Sequence, residues 1–300
     1  MNILSNKLKI NFIKLSRLTM YISIGFMLLS LYSIFFKGID LSIDFKGGTI
    51  INLSVYDEDN LDLSLLRDRL TDRLTQQVNV VQVNSNSNSL DLILKMEYLS
   101  NEDILHKSLK TLFHKYEIIK IESIGPKIGD ELTVNARNAI IASLLLIGLY
   151  IAIRFDSSYA VGSIIALIHD VLITLGIFIL LDIEISIAII AAFLTIVGYS
   201  LNDTIVIYDR IRENMLKNPH REKEKTINQS LLQTLSRTIV TSFTTLLVVI
   251  ILYIYGGDVL RPFSLALIVG IIIGTYSSLF VASPIMLFFD EKYNIQEEEN

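Results

Sequence analysis

Cysteine is absent from the 300 residues. That excludes a disulfide, a thiolate metal site and a cysteine nucleophile. Histidine is scarce, and His106, His114, His169 and His220 stand far apart without the close spacing of a metal-binding pair. There is no phosphate-cradling Walker pattern and no nucleophile motif, so neither a cofactor, a bound metal nor an enzyme activity is expected. Basic residues do not dominate: 26 Lys and Arg stand against 31 Asp and Glu, a net charge of −5, which gives no support to nucleic-acid binding. What the chain has in abundance is apolar sequence. Hydrophobic residues make up 51% and the mean hydropathy is +0.51. Several apolar runs reach the roughly 20 residues that cross the hydrocarbon of a bilayer.

Residues 1–17 carry Lys7, Lys9, Lys14 and Arg17 with no acid, and the apolar run 18–36 follows. The run is long for a signal peptide and ends in Phe-Phe-Lys-Gly rather than at a small-residue cleavage site, so it reads as an uncleaved anchor. Residues 37–133 are of another kind: polar, with short apolar alternations. Thr49 to Tyr56 alternates like a strand, and Leu61, Leu65, Leu66, Leu70 and Leu74 fall at helical spacing up to residue 77. Residues 78–83 read as a strand, 84–89 (Asn-Ser-Asn-Ser-Asn-Ser) as a turn-rich connector and 90–99 as a strand. A helix capped by Ser100 runs to about residue 116, and 117–124 is a last strand. The order βαββαβ is that of a ferredoxin-like α/β domain, placed outside the membrane. Five further spans follow at 136–153, 159–181, 185–208, 237–255 and 263–289, then an acidic tail, 290–300. The N-terminus, the loop at Arg154 and the loop 209–236 are basic. With six spans all three fall on one side, the cytoplasm, together with both termini, and the α/β domain falls on the other.

The ionisable residues inside the spans are the functional candidates. Asp203 lies in Ser200-Leu-Asn202-Asp203-Thr204 within otherwise apolar sequence. A charged side chain at that depth costs about 2.5–3.5 kcal/mol on insertion scales and is kept for a reason, most often ion handling. The bland alternative is a structural pairing with an arginine. Arg237 enters the fifth span from the same side, so Asp203 and Arg237 are expected at similar depth; Arg237 alternatively snorkels to the interface. Moving the two relative to one another would change the affinity of Asp203 for a proton. His169-Asp170 sits mid-span and reads either as a satisfied polar pair or as a proton carrier. Thr241, Ser242, Thr244 and Thr245 add hydroxyls, and Gly270-Ile-Ile-Ile-Gly274 is a close-packing face. Two glycine-bearing segments bracket the α/β domain, Gly38-Ile-Asp40-Leu-Ser-Ile-Asp44-Phe-Lys-Gly47-Gly48-Thr49 and Gly125-Pro126-Lys-Ile-Gly129-Asp-Glu-Leu132. They read as tight junctions at which a domain would pivot.

These two segments, together with Ala166-Leu-Ile-His-Asp170, Gly198-Tyr-Ser-Leu-Asn-Asp-Thr-Ile-Val-Ile-Tyr-Asp-Arg-Ile-Arg-Glu-Asn214 and Arg237-Thr…Thr241-Ser…Thr244-Thr245, resemble the SecD/SecF family, half-sized relatives of the RND transporters. The resemblance covers essentially the whole chain, and the small outside domain resembles the SecF rather than the SecD branch. It implies a subunit that pairs with SecD, associates with the SecYEG channel and YajC in the cell inner membrane, and draws on a proton or sodium gradient to help move preproteins outward after the SecA motor has begun the work. In family terms Asp203 matches the membrane carboxylate of the proton path and Arg237 the basic residue on the next span. A non-coupled scaffold for SecD and an RND-like exporter of small molecules remain as alternatives.

Overall fold

The computed structural model describes residues 11–56, 62–74, 76–86, 89–99 and 102–290; Lys7, Lys9, the expected cap Ser100 and the tail beyond Asp290 lie outside them. The chain forms two compact units, Leu41–Arg137 and the remainder, Met1–Asp40 with Asn138–Asn300.

The unit 41–137 is the α/β domain. A short helix, α2 (Ile43–Lys46), leads into β1 (Gly48–Tyr56), α3 (Leu63–Leu74), β2 (Val78–Asn86), β3 (Ser89–Met96), α4 (Glu102–Leu112) and β4 (Tyr116–Ile124). The sheet is antiparallel in the order β2-β3-β1-β4, the ferredoxin-like arrangement. Alternation along the strands puts Ile51, Leu53 and Val55 of β1 and Leu92, Leu94 and Met96 of β3 on one face, where they bury Leu66, Leu70 and Leu74 of α3 and Leu105 and Leu109 of α4. Leu65, expected on the same helix face, is 49% exposed because it stands one step of about 100° round from Leu66. The Asn/Ser stretch is paired strand rather than connector as far as it is described: Asn84, Ser85 and Asn86 face Asp91, Leu90 and Ser89. Ladder pairing uses backbone groups, so polar side chains do not prevent it.

The helical unit contains α1 (Phe12–Phe36), most of α5 (Pro126–Arg154), α6 (Ser157–Leu180), α7 (Ile187–Lys217), α8 (Lys223–Tyr255) and α9 (Gly257–Ser277), which passes through a π-helical segment at Ser278–Ala282 and continues to Asp290. All six are long and apolar enough to span a bilayer. They outrun the apolar stretches. The loop expected at 209–236 narrows to 218–222, and the loop expected at 256–262 is helix from Gly257 onward. Lys, Arg, Glu and Gln end the apolar stretch without ending the helix, since all are good helix formers. The apolar windows of α6, α7 and α9 are 56%, 50% and 56% buried, against 17%, 6% and 17% for α1, α5 and α8, so the first three form the centre.

Small residues set the crossings at that centre. A Cβ on Gly162 of α6 would lie 2.5 Å from the Tyr208 hydroxyl of α7 and 2.8 Å from the Ala282 carbonyl. Tyr208 donates to that same carbonyl at 3.0 Å. A Cβ on Gly274 of α9 would lie 2.9 Å from Ser200 Cβ, and one on Gly270 would collide with Ile196. On α1, Ser16, Ser23 and Ser30 recur every seven residues, are all buried, and form its inner seam; Ser30 occupies the space a side chain on Gly176 of α6 would need.

Candidate functional site

Asp170, fully buried on α6, is the best-furnished polar group inside the helical unit. Its Oδ2 accepts from Ser200 of α7 at 2.6 Å and from Ser277 of α9 at 2.8 Å, while Oδ1 lies 2.9 Å from Nδ1 of His169. His169 Nε2 lies 3.1 Å from Ser23 of α1. The Ser23 hydroxyl lies 2.9 Å from that of Tyr276, which donates to the Thr19 carbonyl at 2.7 Å. Four helices therefore meet at one pair of residues. The close approach of α9 to α7 at Gly274 lets Ser200 and Ser277 reach the same carboxylate oxygen. Thr204 points its hydroxyl back to the Ser200 carbonyl, 3.2 Å away, and stays outside this cluster.

Asp203 is buried one turn further along α7 and has a different neighbour from the one expected. Ser242 of α8 stands 3.4 Å from its Oδ2, and Thr275 of α9 donates to Ser242 at 2.7 Å. Arg237 is within electrostatic reach of Asp203, yet the two form no ion pair within 4.0 Å. The reason is azimuth. Thr238 and Ser242, four residues apart, share the inward face of α8, whereas Arg237 is about 100° round from Thr238 and exposed. Asn202 is exposed as well, on the outer face of α7, and its side chain makes no hydrogen bond to the described residues. Among the described residues no three of His, Asp and Glu converge as a metal-ligand group.

The glycine-bearing segments meet each other within the α/β unit. Gly47 and Gly48 have φ of +72° and +141°, a backbone that glycine adopts freely. A Cβ on Gly47 would lie 3.0 Å from Pro126 Cα, and one on Gly129 would lie 2.8 Å from the Phe45 carbonyl and 3.1 Å from the Gly47 nitrogen. The Gly125 carbonyl accepts from Ile128 and Gly129 as α5 opens with Pro126 at its first position. Ser42 caps α2 by accepting from the Asp44 amide at 3.2 Å. The two segments thus clasp rather than dangle. The junction glycine Gly38, in the helical unit, has φ +80° and nothing within 4 Å of a Cβ position, and the Asp40 carbonyl accepts from the Ile185 amide at 2.7 Å.

Sequence reasoning found Asp170, His169, Ser200, Asp203 and Ser242, but not Ser23, Tyr276, Ser277 or Thr275. The seven-residue serine repeat of α1 was a usable signal for Ser23. Tyr276 and Ser277 follow directly on Gly274, on the turn that the glycine brings to the centre.

Comparisons with known proteins agree with the sequence motifs. The family described as protein export membrane protein SecD/SecF, C-terminal, matches residues 104–292, and the SecD/SecF GG motif matches residues 32–55. A protein translocase subunit SecF of Rhodothermus marinus is 44% identical over 273 residues, 87% of each chain. The SecF of Vibrio alginolyticus is 38% identical over 99% of this chain and 93% of its own. A longer SecDF of Thermus thermophilus is 43% identical over 88% of this chain but only 36% of its own length. Its crystal structure, titled as that of a translocon-associated membrane protein, superposes with a TM-score of 0.84 at 39% identity, covering 95% of this chain and 39% of that one. A SecDF structure in a super-membrane-facing form gives 0.72 at 40% identity, covering 98% of this chain and 40% of that one. Matched over residues 104–292 by the family and over nearly its whole length by relatives well above 30% identity, this six-span chain belongs to the SecD/SecF family of protein-export membrane proteins.

Proposed function

We propose that this protein is a SecF-type subunit that assists preprotein export across the cell inner membrane, using an ion gradient through Asp203. The observation that carries this reading is a buried carboxylate in the apolar part of α7 whose side-chain partners are the hydroxyls of Ser242 and Thr241, with no ion pair. A carboxylate kept only to hold helices together would be matched by a direct cation; this one is left free to change partner. Arg237 stands near without pairing, and a shift of α8 about its axis would bring it to Asp203, altering the affinity of the carboxylate for a proton. His169, Asp170, Ser200 and Thr204 are buried in the same region and line the proposed path, whereas Asn202, on the outer face of α7, does not. One proton moving through 100 mV supplies roughly 2.3 kcal/mol, enough to bias two arrangements whose gap is a few kcal/mol.

The partner of the reading is a SecD-type half, which the Thermus thermophilus SecDF carries in one chain; the SecYEG channel, YajC and the translocating preprotein complete the setting. Support for the orientation comes from one end of the helical unit. There Arg154 pairs with Asp209 at 2.8 Å, Lys223 pairs with Asp290, and the Phe12 amide donates to Asn228 at 2.6 Å. These contacts gather the start of α1 and the basic helix ends on one face, which the charge rule makes cytoplasmic. The α/β domain then lies outside, with Gly38, Asp40 and the clasp of Asp44, Gly47 and Gly48 on Gly125, Pro126 and Gly129 as its junctions.

The test is completion of preprotein translocation in vesicles with an imposed gradient, comparing wild type with Asp203→Asn after assembly with SecD is verified. Loss of the gradient-dependent part, with the ATP-driven part intact, supports the coupling role. Full gradient-dependent export by Asp203→Asn moves the path elsewhere and leaves this chain a scaffold. Repeating the assay with a proton gradient and with a sodium gradient names the ion.

A further inference from the structure

The hydrogen bonds around His169 can be counted proton by proton. Three contacts run in series from α6 to α1: His169 Nε2 to Ser23 Oγ, Ser23 Oγ to the Tyr276 hydroxyl, and the Tyr276 hydroxyl to the Thr19 carbonyl. A carbonyl only accepts, so the proton of Tyr276 goes to Thr19. Ser23 must then supply the proton between itself and Tyr276. The remaining contact has one possible donor, Nε2 of His169. On the other side of the ring, Asp170 Oδ2 accepts from the hydroxyls of Ser200 and Ser277, the 2.8 Å contact of Ser277 being shorter than its 3.1 Å alternative to the Gly274 carbonyl, and Oδ1 faces Nδ1. That contact needs a proton too, on either nitrogen or oxygen.

We propose that the His169–Asp170 pair is a resident proton-binding site. It holds two protons over Nε2, Nδ1 and Oδ1, one more than the common arrangement of a carboxylate facing a neutral histidine protonated at Nδ1. The pair is thereby neutral overall, either as imidazolium with carboxylate or as imidazole with carboxylic acid. Neutrality fits its surroundings, because a net charge on two side chains 1% exposed would be costly. The inference deepens the proposed path by giving the proton content of two of its members, and it stands whether or not Asp203 couples to a gradient.

The site has a mechanical reading. If one proton leaves the pair to water, the remaining one bridges Nδ1 and Oδ1, and Nε2 becomes an acceptor. Ser23 turns to donate to it. Tyr276 then has a single proton for two acceptors, Ser23 and Thr19. One of the two contacts of Tyr276 is lost, and each is a tie between α1 and α9. The proton content of α6 is therefore read by how firmly α1 is held. Among the groups packed around the pair, α1 contributes Thr19 and Ser23, its Lys14, Arg17 and Tyr21 being exposed. The α7 helix contributes Ser200 and, one turn on, Asp203; α9 contributes Tyr276 and Ser277. Among the described residues no Lys or Arg contacts the pair, so the second proton is what balances the carboxylate.

The experiment is solid-state NMR of the full chain, labelled with ¹⁵N-histidine and reconstituted in lipid vesicles at neutral pH, with His169→Gln used to assign the His169 signals. Nε2 of His169 is expected to be protonated. A bare Nε2 with a proton on Nδ1 would overturn the assignment. Tyr276→Phe keeps the ring and removes the hydroxyl, which frees Ser23 to donate to His169. In that variant the form with bare Nε2 is expected to appear. If Nε2 stays protonated as in wild type, the chain of contacts does not set the proton content and the proposal fails. Neither readout depends on export activity, so a failure here is distinct from a failure of the coupling reading.

Discussion

Gly270 and Gly274 act by what they leave out. With no Cβ, α9 lies against Ile196 and Ser200 of α7 closely enough for two serines to serve Asp170. Gly270→Ala is therefore expected to destabilise the protein by about 1–3 kcal/mol, the range for overpacking a well-filled site. Ile196→Ala vacates the space the new methyl needs, so the double variant should recover part of that loss despite its own cavity. Thermal unfolding in detergent of the two single variants and the double variant reads the coupling, expected at about 0.5–3 kcal/mol. Strict additivity would mean that the two residues do not press on each other. The sequence showed the small face of α9 but not what it meets, because spacing along one helix says nothing about which helix packs on it. The same limit governs Asp203 and Arg237. That Arg237 comes within electrostatic reach of Asp203 was legible from the chain; the azimuth of Arg237 on α8 was not, since it depends on which face of α8 the neighbours cover. Ser277 carried little signal for a related reason. A serine in an apolar helix normally satisfies itself on its own backbone, and only the tertiary arrangement shows which hydroxyl reaches across.

At the level of elements, the ferredoxin-like domain was largely readable because two periods coexist in it, alternation in Ile51, Leu53 and Val55 and helical spacing in Leu66, Leu70 and Leu74. What spacing did not give was the start of α3. Asp62 caps this helix: its Oδ1 accepts from the amides of Ser64 and Leu65 at 2.9 and 3.3 Å and from the Ser64 hydroxyl at 2.6 Å. The Ser64 hydroxyl first, then the two amides, hold the Asp62 carboxyl below its ordinary value. A carboxylate whose affinity for protons falls on folding adds stability above its unfolded range, and that contribution disappears as pH drops through the folded value. Asp62→Ala should accordingly weaken hydrogen-exchange protection over Leu63–Leu74 at neutral pH, and the difference from wild type should close in acid. A gap of constant size from neutral to acid pH would show that the carboxylate is not what caps the helix. Helix ends in the other unit were misjudged for the converse reason. Hydropathy reports where lipid ends, whereas the hydrogen-bond ladder of α7 and α8 continues through Arg, Glu, Lys and Gln well beyond it.

For the whole molecule, the outer helices show mostly lipid-compatible surface, but α7 does not. Ala191, Thr195, Gly198 and Asn202 follow one another at four-, three- and four-residue steps on its exposed side. Thr195 satisfies itself on the Ala191 carbonyl at 2.8 Å, while Asn202 has no partner among the described residues. An amide with neither water nor a protein partner is expensive in hydrocarbon, and a stripe of small residues ending in such an amide is what a second helix packs against. The family supplies the natural occupant, since the Thermus thermophilus SecDF continues well beyond the part this chain matches. A Cβ on Gly198 would meet nothing within 4 Å, so Gly198→Leu is neutral for this chain's own packing and replaces the poorest helix former short of proline. Its thermal stability in isolation should be unchanged or raised by up to about 1 kcal/mol. Co-purification with the SecD-type half should fall sharply, because the new side chain fills the stripe of small residues on which a second helix would pack. If Gly198→Leu co-purifies at the wild-type level, the exposed face of α7 is lined by lipid, and Asn202 must find its partner in a different arrangement of this chain's own helices.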